Sequence, residues 1–248
     1  MLIICVNLCF VFNLAHSTGM EKALKKYIDS LSADGKEEVR PLLQQTSSID
    51  RYSLLMNVRG DKFSGNTGPH IAANYNDLET MKYMLEGFTV DEKYDVLKIQ
   101  GGNGLSVLHC AAWRGYSSII TYLLTDLSQQ QKYNLLKLQD KDGVTPLHYA
   151  ARNNHSSIIT YLLTDFSQQQ KYNLLQLKNK GGNTPIYDAA SKQKSEAIQA
   201  ILTSLSPQQQ IQLLNIKNKE GQSVTDIIPE VYKEHPLMIS LGNVIYYN

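Results

Sequence analysis

Three histidines, His70, His109 and His148, recur at a spacing of 39 residues, and His109 stands directly before Cys110. Imidazole titrates near neutrality, so a histidine beside a thiol raises nucleophilic catalysis and a set of histidines raises metal binding. The spacing supports neither. Neighbouring side chains on a helix diverge by about 100 degrees, a poor geometry for a Cys–His dyad. A regular 39-residue interval distributes the histidines one to each stretch of chain. Gly101-Gly102-Asn103-Gly104 has no Lys-Ser/Thr at phosphate-loop spacing and reads as turn chemistry. The cysteines (Cys5, Cys9, Cys110) have neither zinc-ligand nor disulfide-framework spacing. The expectation is no catalytic residue, no metal and no cofactor.

Composition is consistent with this. The chain has 248 residues, 42% hydrophobic and 19% charged, enough for a globular core. Its formal net charge of +1 calls for neither nucleic acid nor an anionic membrane.

The 39-residue interval extends well beyond the histidines. Residues 117–138, SSIITYLLTDLSQQQKYNLLKL, return almost unchanged at 156–177 as SSIITYLLTDFSQQQKYNLLQL. Glycine recurs in step at Gly65, Gly104, Gly143, Gly182 and Gly221, and two residues later stand Thr67, Ser106, Thr145, Thr184 and Ser223. PHIAA, LHCAA, LHYAA and IYDAA follow in register. Each part has a local structural reading. The glycine suits a turn with positive φ. Thr145-Pro146 and Thr184-Pro185 read as an N-cap followed by proline at the first helical position. Asn76, Gly115 and Asn154 suit the left-handed residue that ends a helix. A second helix carries Met81, Met84, Leu85 and Phe88 at i, i+3, i+4 and i+7, a pattern repeated from Ile120, Ile159 and Ile198.

GVTPLHYAARNN (143–154), after LQDKD, resembles the ankyrin repeat, whose signature includes T-P-L-H-x-A. The resemblance covers roughly residues 58–228. It weakens where Gly68 and Pro69 replace Pro-Leu, where Tyr187 replaces the histidine, and where GQSVTDII meets Pro229. It implies an all-α helical solenoid with β-hairpin or turn connections, and a histidine bonded to the turn beside its Thr or Ser. The period departs from the family's usual value of about 33. The excess falls on the glutamine runs, which read either as low-complexity tracts or as helix starts. Ser128 with Gln131, Ser167 with Gln170, Ser206 with Gln209 and Thr89 with Glu92 have capping-box spacing. Tyr94, Tyr133, Tyr172 and Ile211 each precede a leucine by three residues, an apolar stripe. A short third helix in each repeat is therefore expected.

The expected organisation is an apolar segment at 1–19, a divergent capping unit at 20–64 and repeats at 65–103, 104–142, 143–181 and 182–220. A degenerate repeat with a C-terminal cap follows at 221–248. In the capping unit, SSIDRYSLLMNV (47–58) echoes a third helix. Residues 1–17 read as a signal peptide that would export the chain, as an upstream extension or buried cap that would leave it cytoplasmic, or as a membrane anchor. Asn154-His155-Ser156 is a sequon, but a helix-ending Asn154 explains the asparagine without sugar.

A solenoid without a catalytic site acts through a long concave surface. Core positions must match between copies, so the differences between copies locate contacts. The resemblance implies hairpin tips and the residues after Ala-Ala. These are Asn74 and Tyr75, Trp113 and Arg114, Arg152 and Asn153, Ser191 and Lys192, with Gln139, Lys141, Lys178 and Lys180 on the hairpins. Lys217 and Lys219 extend a mildly basic edge. The expected partner is another protein, with no nucleic acid, no small-molecule substrate and no membrane. An adaptor or scaffold is the first reading; an exported effector that masks a host protein is the alternative.

Overall fold

The computed structural model describes residues 19–27, 29, 33–59 and 65–227. The apolar 1–17 segment and the tail after 227 lie outside the described residues. The chain falls into two compact units, Met1–Val107 and Leu108–Asn248.

The first unit contains α1 (19–27), α2 (Ala33–Gln45), α3 (Ser48–Asn57), α4 (Gly68–Asn74), α5 (Leu78–Leu85) and α6 (Val90–Lys98). The expected capping segment is helical. Ser47 caps α3 by accepting the Asp50 amide at 3.2 Å, and α3 packs on α5 and α6. Arg40 on α2 ties this segment to α5, donating to Asp77 Oδ1 and Thr80 Oγ1, both at 2.7 Å. Asp77 is buried and caps α5 at Thr80 N, and Tyr27 donates to its other oxygen at 3.2 Å. Buried Arg51 donates to the carbonyls of Leu43 and Glu86, fastening α3 to the ends of α2 and α5.

The second unit runs from α7 (Val107–Arg114), whose first residue belongs to the first unit, through α8 (Ser117–Leu124) and α9 (Gln129–Leu136). It continues as α10 (Pro146–Arg152), α11 (Ser156–Leu163), α12 (Gln168–Leu175), α13 (Pro185–Ser191), α14 (Ser195–Thr203), α15 (Pro207–Leu214) and α16 (Val224–Ile227). Equivalent helices stack in rows: α10 on α13, α11 on α14 and α12 on α15. The core between them is built from the expected positions, with Ile120, Leu123, Leu124, Ile159, Leu162 and Ile201 all buried, and the paired alanines buried as well.

The third helix is present in each triplet, and the cap geometry is as read. Ser128, Ser167, Ser206 and Thr89 each close a reciprocal capping box with the residue three positions on. The glutamine runs are thus the first turns of α9, α12 and α15. Replacing Ser128 by alanine removes one acceptor from an exposed helix start. It should lower stability by about 1 kcal/mol in urea unfolding, and an unchanged midpoint would show that the cap contributes nothing.

Helix one ends on Asn76, Asn154 and Gln193 with φ of 57°, 61° and 55°, and on Gly115 at 82°. Three of these were readable as helix stops; glutamine at 193 carries no such signal. No strand forms among the described residues, where Gln100 and Ser106 make an isolated bridge. The connections are bonded turns. Asp140 N donates to Val144 O at 3.0 Å, and Asn179 N to Asn183 O at 2.9 Å. The hairpin expectation therefore contracts to a turn, because the segments flanking each glycine run into helices within a few residues.

Candidate partner-binding face

The recurrent histidines are structural. His148 Nδ1 accepts the Thr145 backbone N–H at 3.2 Å, and its Nε2 lies 3.0 Å from the Asn183 carbonyl of the next turn. This pattern requires the neutral ring with its proton on Nε2. His70 repeats it in the first unit with Thr67 N and Leu105 O, at 3.2 and 2.9 Å. His109 reaches Val144 O at 3.0 Å. Burial pushes the His109 pKa down to about 4 and that of His148 down to about 3. Tyr187, which replaces the histidine, keeps the forward reach by donating to Gln222 Oε1 at 2.8 Å. Cys110 is buried and its thiol is pushed up to about 12 by desolvation, so it is no nucleophile near neutrality.

The largest exposed apolar side chain at the helix-one ends of the second unit stands where the copies differ. Trp113 ends α7 with 43% of its surface exposed, although it is a large aromatic. Its ring lies against Tyr149 of α10, with centroids 5.8 Å apart and planes tilted by 31°. The Arg114 guanidinium stands 5.2 Å from the same ring. Tyr149 is itself held, donating to Asp140 Oδ2 of the preceding turn at 2.7 Å. His155 anchors the α7 terminus through the Trp113 carbonyl at 3.2 Å. The indole is therefore fixed in place while half of it faces solvent.

One triplet further on, the corresponding position is Arg152. Its Nε donates to Asp188 Oδ2 at 2.9 Å, and Asp188 is buried. Burial raises the Asp188 pKa while Arg152 pulls it down. Asn179 of the adjoining turn also donates to Asp188, at 3.4 Å. Arg152 thus serves as counter-ion to a buried carboxylate. Gln139 is likewise occupied, its amide donating to Gly143 O at 2.8 Å and Lys178 O at 2.9 Å. Lys178 spends a proton on Lys217 O at 2.9 Å. These bonds stack successive turns, together with Lys180 N to Asp142 O at 2.8 Å and Lys219 N to Gly181 O at 3.0 Å.

The family model described as ankyrin repeats (3 copies) matches residues 35–135 and 127–215. The chain belongs to the ankyrin-repeat family. No curated protein matches it in sequence. Ankyrin repeats are generally protein–protein interaction modules and typically non-enzymatic. In this ankyrin-repeat protein no described helix is long and apolar enough to cross a membrane.

The sites read from the ankyrin resemblance divide by role. In the second unit Trp113, Arg114, Lys141, Asn153, Lys180, Ser191 and Lys192 are exposed at helix-one ends and turns. Asn153 is a helix end whose amide donates to Tyr149 O at 2.8 Å, and Ser191 donates to Asp188 O at 3.0 Å. In the first unit Tyr75 is 39% exposed at the end of α4, with Asn74 half-buried beside it. Asn154 spends its carboxamide inside the fold, accepting from Ala197 N at 3.0 Å and donating to Glu196.

The sequence reading missed Tyr149, Asp140, Asp188 and Asn179, which support this face. A signal for them exists in the aligned copies. Asp140 and Tyr149 stand nine residues apart, as do Asn179 and Asp188, and the acceptor changes ends between the copies. Complementary exchange of this kind marks a contact between turn and helix.

Proposed function

We propose that this ankyrin-repeat chain is a non-catalytic protein-interaction module, and that its second unit binds a protein partner through the helix-one ends and turns around Trp113. The observation that carries the reading is the half-exposed indole held by Tyr149 and Arg114. A tryptophan left in solvent on a rigid base offers a large apolar contact with little ordering cost on binding, and Trp and Arg are enriched at interface hot spots. The remaining histidines and cysteine named as candidates are internal, which leaves the surface of this unit as the place where specificity can reside.

The test is quantitative affinity capture from the native cell with wild type and Trp113→Ala. The specific partner should be recovered at least about tenfold less by the variant, the loss typical of a hot-spot residue. The variant should keep the wild-type circular dichroism and a closely similar urea midpoint. Equal recovery by both proteins would rule out Trp113 as the anchor.

A further inference from the structure

We infer that the partner presents to this face an acidic, acceptor-rich segment with one ring or branched aliphatic side chain for Trp113. This deepens the proposed binding role and rests on it. The exposed side chains of the face include more donors than acceptors. The Trp113 indole N–H has no acceptor among the described residues. The ammonium groups of Lys141 and Lys180 are exposed, with no hydrogen bond or ion pair to a described residue, and exposed Lys192 shares Asp188 with Arg152 electrostatically.

Of the carboxylates on these turns, Asp142 is exposed beside Lys141, while Asp140 and Asp188 are committed within the fold. Asp140 accepts from Tyr149 and from the Asp142 and Val144 amides of its own turn, the latter two at 2.8 and 2.9 Å. Asp188 is buried beneath Arg152. A neutral partner covering the face would strip water from Lys141 and Lys180 and offer them no counter-charge, which offsets the apolar contact with one indole. Carboxylates on the partner remove that cost and satisfy the indole N–H as well.

A protein segment fits better than nucleic acid. Exposed Asp142 lies next to Lys141, and exposed Glu220 next to Lys219, so the positive edge is interrupted. A phosphate backbone brings a negative charge at every step and would meet both carboxylates. A peptide can place its carboxylates opposite the lysines and avoid them.

The experiment is a selection of random displayed peptides against the immobilised full chain, followed by titration of an enriched peptide lacking tryptophan. The chain contains a single tryptophan, so its emission reports on Trp113 alone. Enriched sequences should be net negative and contain Phe, Tyr or Leu, and binding should shift or quench the emission. Lys141→Glu/Lys180→Glu should weaken the peptide about tenfold, and Kd should rise several-fold between about 50 and about 300 mM salt. Both lysines are exposed on turns, and urea unfolding will verify that the double variant keeps its fold. Enrichment of neutral or basic peptides that still need Trp113 overturns the acidic inference while leaving the binding face standing. Acidic peptides indifferent to Trp113, or no enrichment at all, remove the face and the inference together. Displacement of the peptide by oligo-dT at lower concentration than by free peptide overturns it in favour of nucleic acid.

Discussion

Gly182→Ala should destabilise the fold by about 3 kcal/mol, whereas Gly221→Ala, at an equivalent position, should cost only about 1 kcal/mol. Both glycines are left-handed, with φ of +82° and +79°. An L residue there carries a strain of about 1 kcal/mol whatever its surroundings. The surroundings differ. A Cβ on Gly221 meets no atom of a described residue within 4 Å, while one on Gly182 would stand 2.7 Å from Lys219 N and 3.1 Å from Asn218 C. These are backbone atoms and cannot swing away as a side chain would. Lys219 N also donates to Gly181 O at 3.0 Å, so the turns are bonded together at the point of conflict. Separating them adds a lost hydrogen bond of about 1 kcal/mol to the steric cost.

Gly143 lies between the two cases, since its Cβ would meet Lys180 N at 3.0 Å and Asn179 Cα at 3.1 Å. The order of damage in urea unfolding should be Gly221, Gly143, Gly182. Amide exchange at Lys219 gives the local check, because that proton should exchange faster in Gly182→Ala but not in Gly143→Ala. Equal losses at all three glycines would mean that φ strain alone acts and that turn stacking is irrelevant.

The same contrast between local and stacked chemistry explains which features could be read from the sequence. The third helix is legible because a serine, a glutamine three residues later and an apolar stripe all lie within one short segment. The helix stops at Asn76, Gly115 and Asn154 are legible for the same reason. Turn-to-turn contacts are another matter. Arg152 and Asp188 are 36 residues apart, and nothing near Arg152 distinguishes an exposed binding cation from the counter-ion of a buried carboxylate. Gln139, read as a hairpin contact, spends its amide on two carbonyls. In a stacked repeat protein a polar side chain on one turn has its natural partner one period away, and single-copy reading is blind to it.

The alignment of copies restores part of that information. Trp113, Arg152 and Ser191 share one register, and only the first presents a large apolar surface. The stretch that was copied, 117–138 against 156–177, builds the core and the third helix; the proposed anchor Trp113 lies just before it. On the proposed binding role, duplication of the packing unit with divergence at helix-one ends separates stability from specificity, so substitutions at Trp113 should alter binding while the core leucines set the melting behaviour.

That separation extends to acid, where the second large effect arises. Lowering the pH from about 6 to about 4 should remove roughly 5 kcal/mol of stability through His109 and His148 alone. Both rings are buried and neutral, with pKa values pushed from 6.5 down to about 4 and about 3. An unfolded chain takes up protons near pH 6.5, well before the folded one does. Stability is therefore complete above that value and falls as pH drops toward the folded pKa values, by about 1.4 kcal/mol per pH unit for each ring. The combined loss equals the lower end of total stability for an ordinary domain, so unfolding should set in above pH 4.

Asp188 acts in the opposite sense. Burial raises its pKa above 3.8, so the folded state binds its proton first as pH falls, and stability rises over that interval. This offsets part of the loss but comes from one carboxylate against two imidazoles. Urea midpoints measured from pH 7 to pH 4.5 give the slope, and His148→Gln supplies the control. The variant should be less stable at pH 7, since its link to Asn183 O is altered, yet should flatten the pH dependence by the contribution of one ring, about 1.4 kcal/mol per unit. Tyr187 shows that a non-imidazole side chain can bridge successive turns at this register, so loss of the titrating group is separable from loss of the fold. A wild-type profile flat down to pH 4.5, or a variant with an unchanged slope, would place the acid-sensitive groups elsewhere.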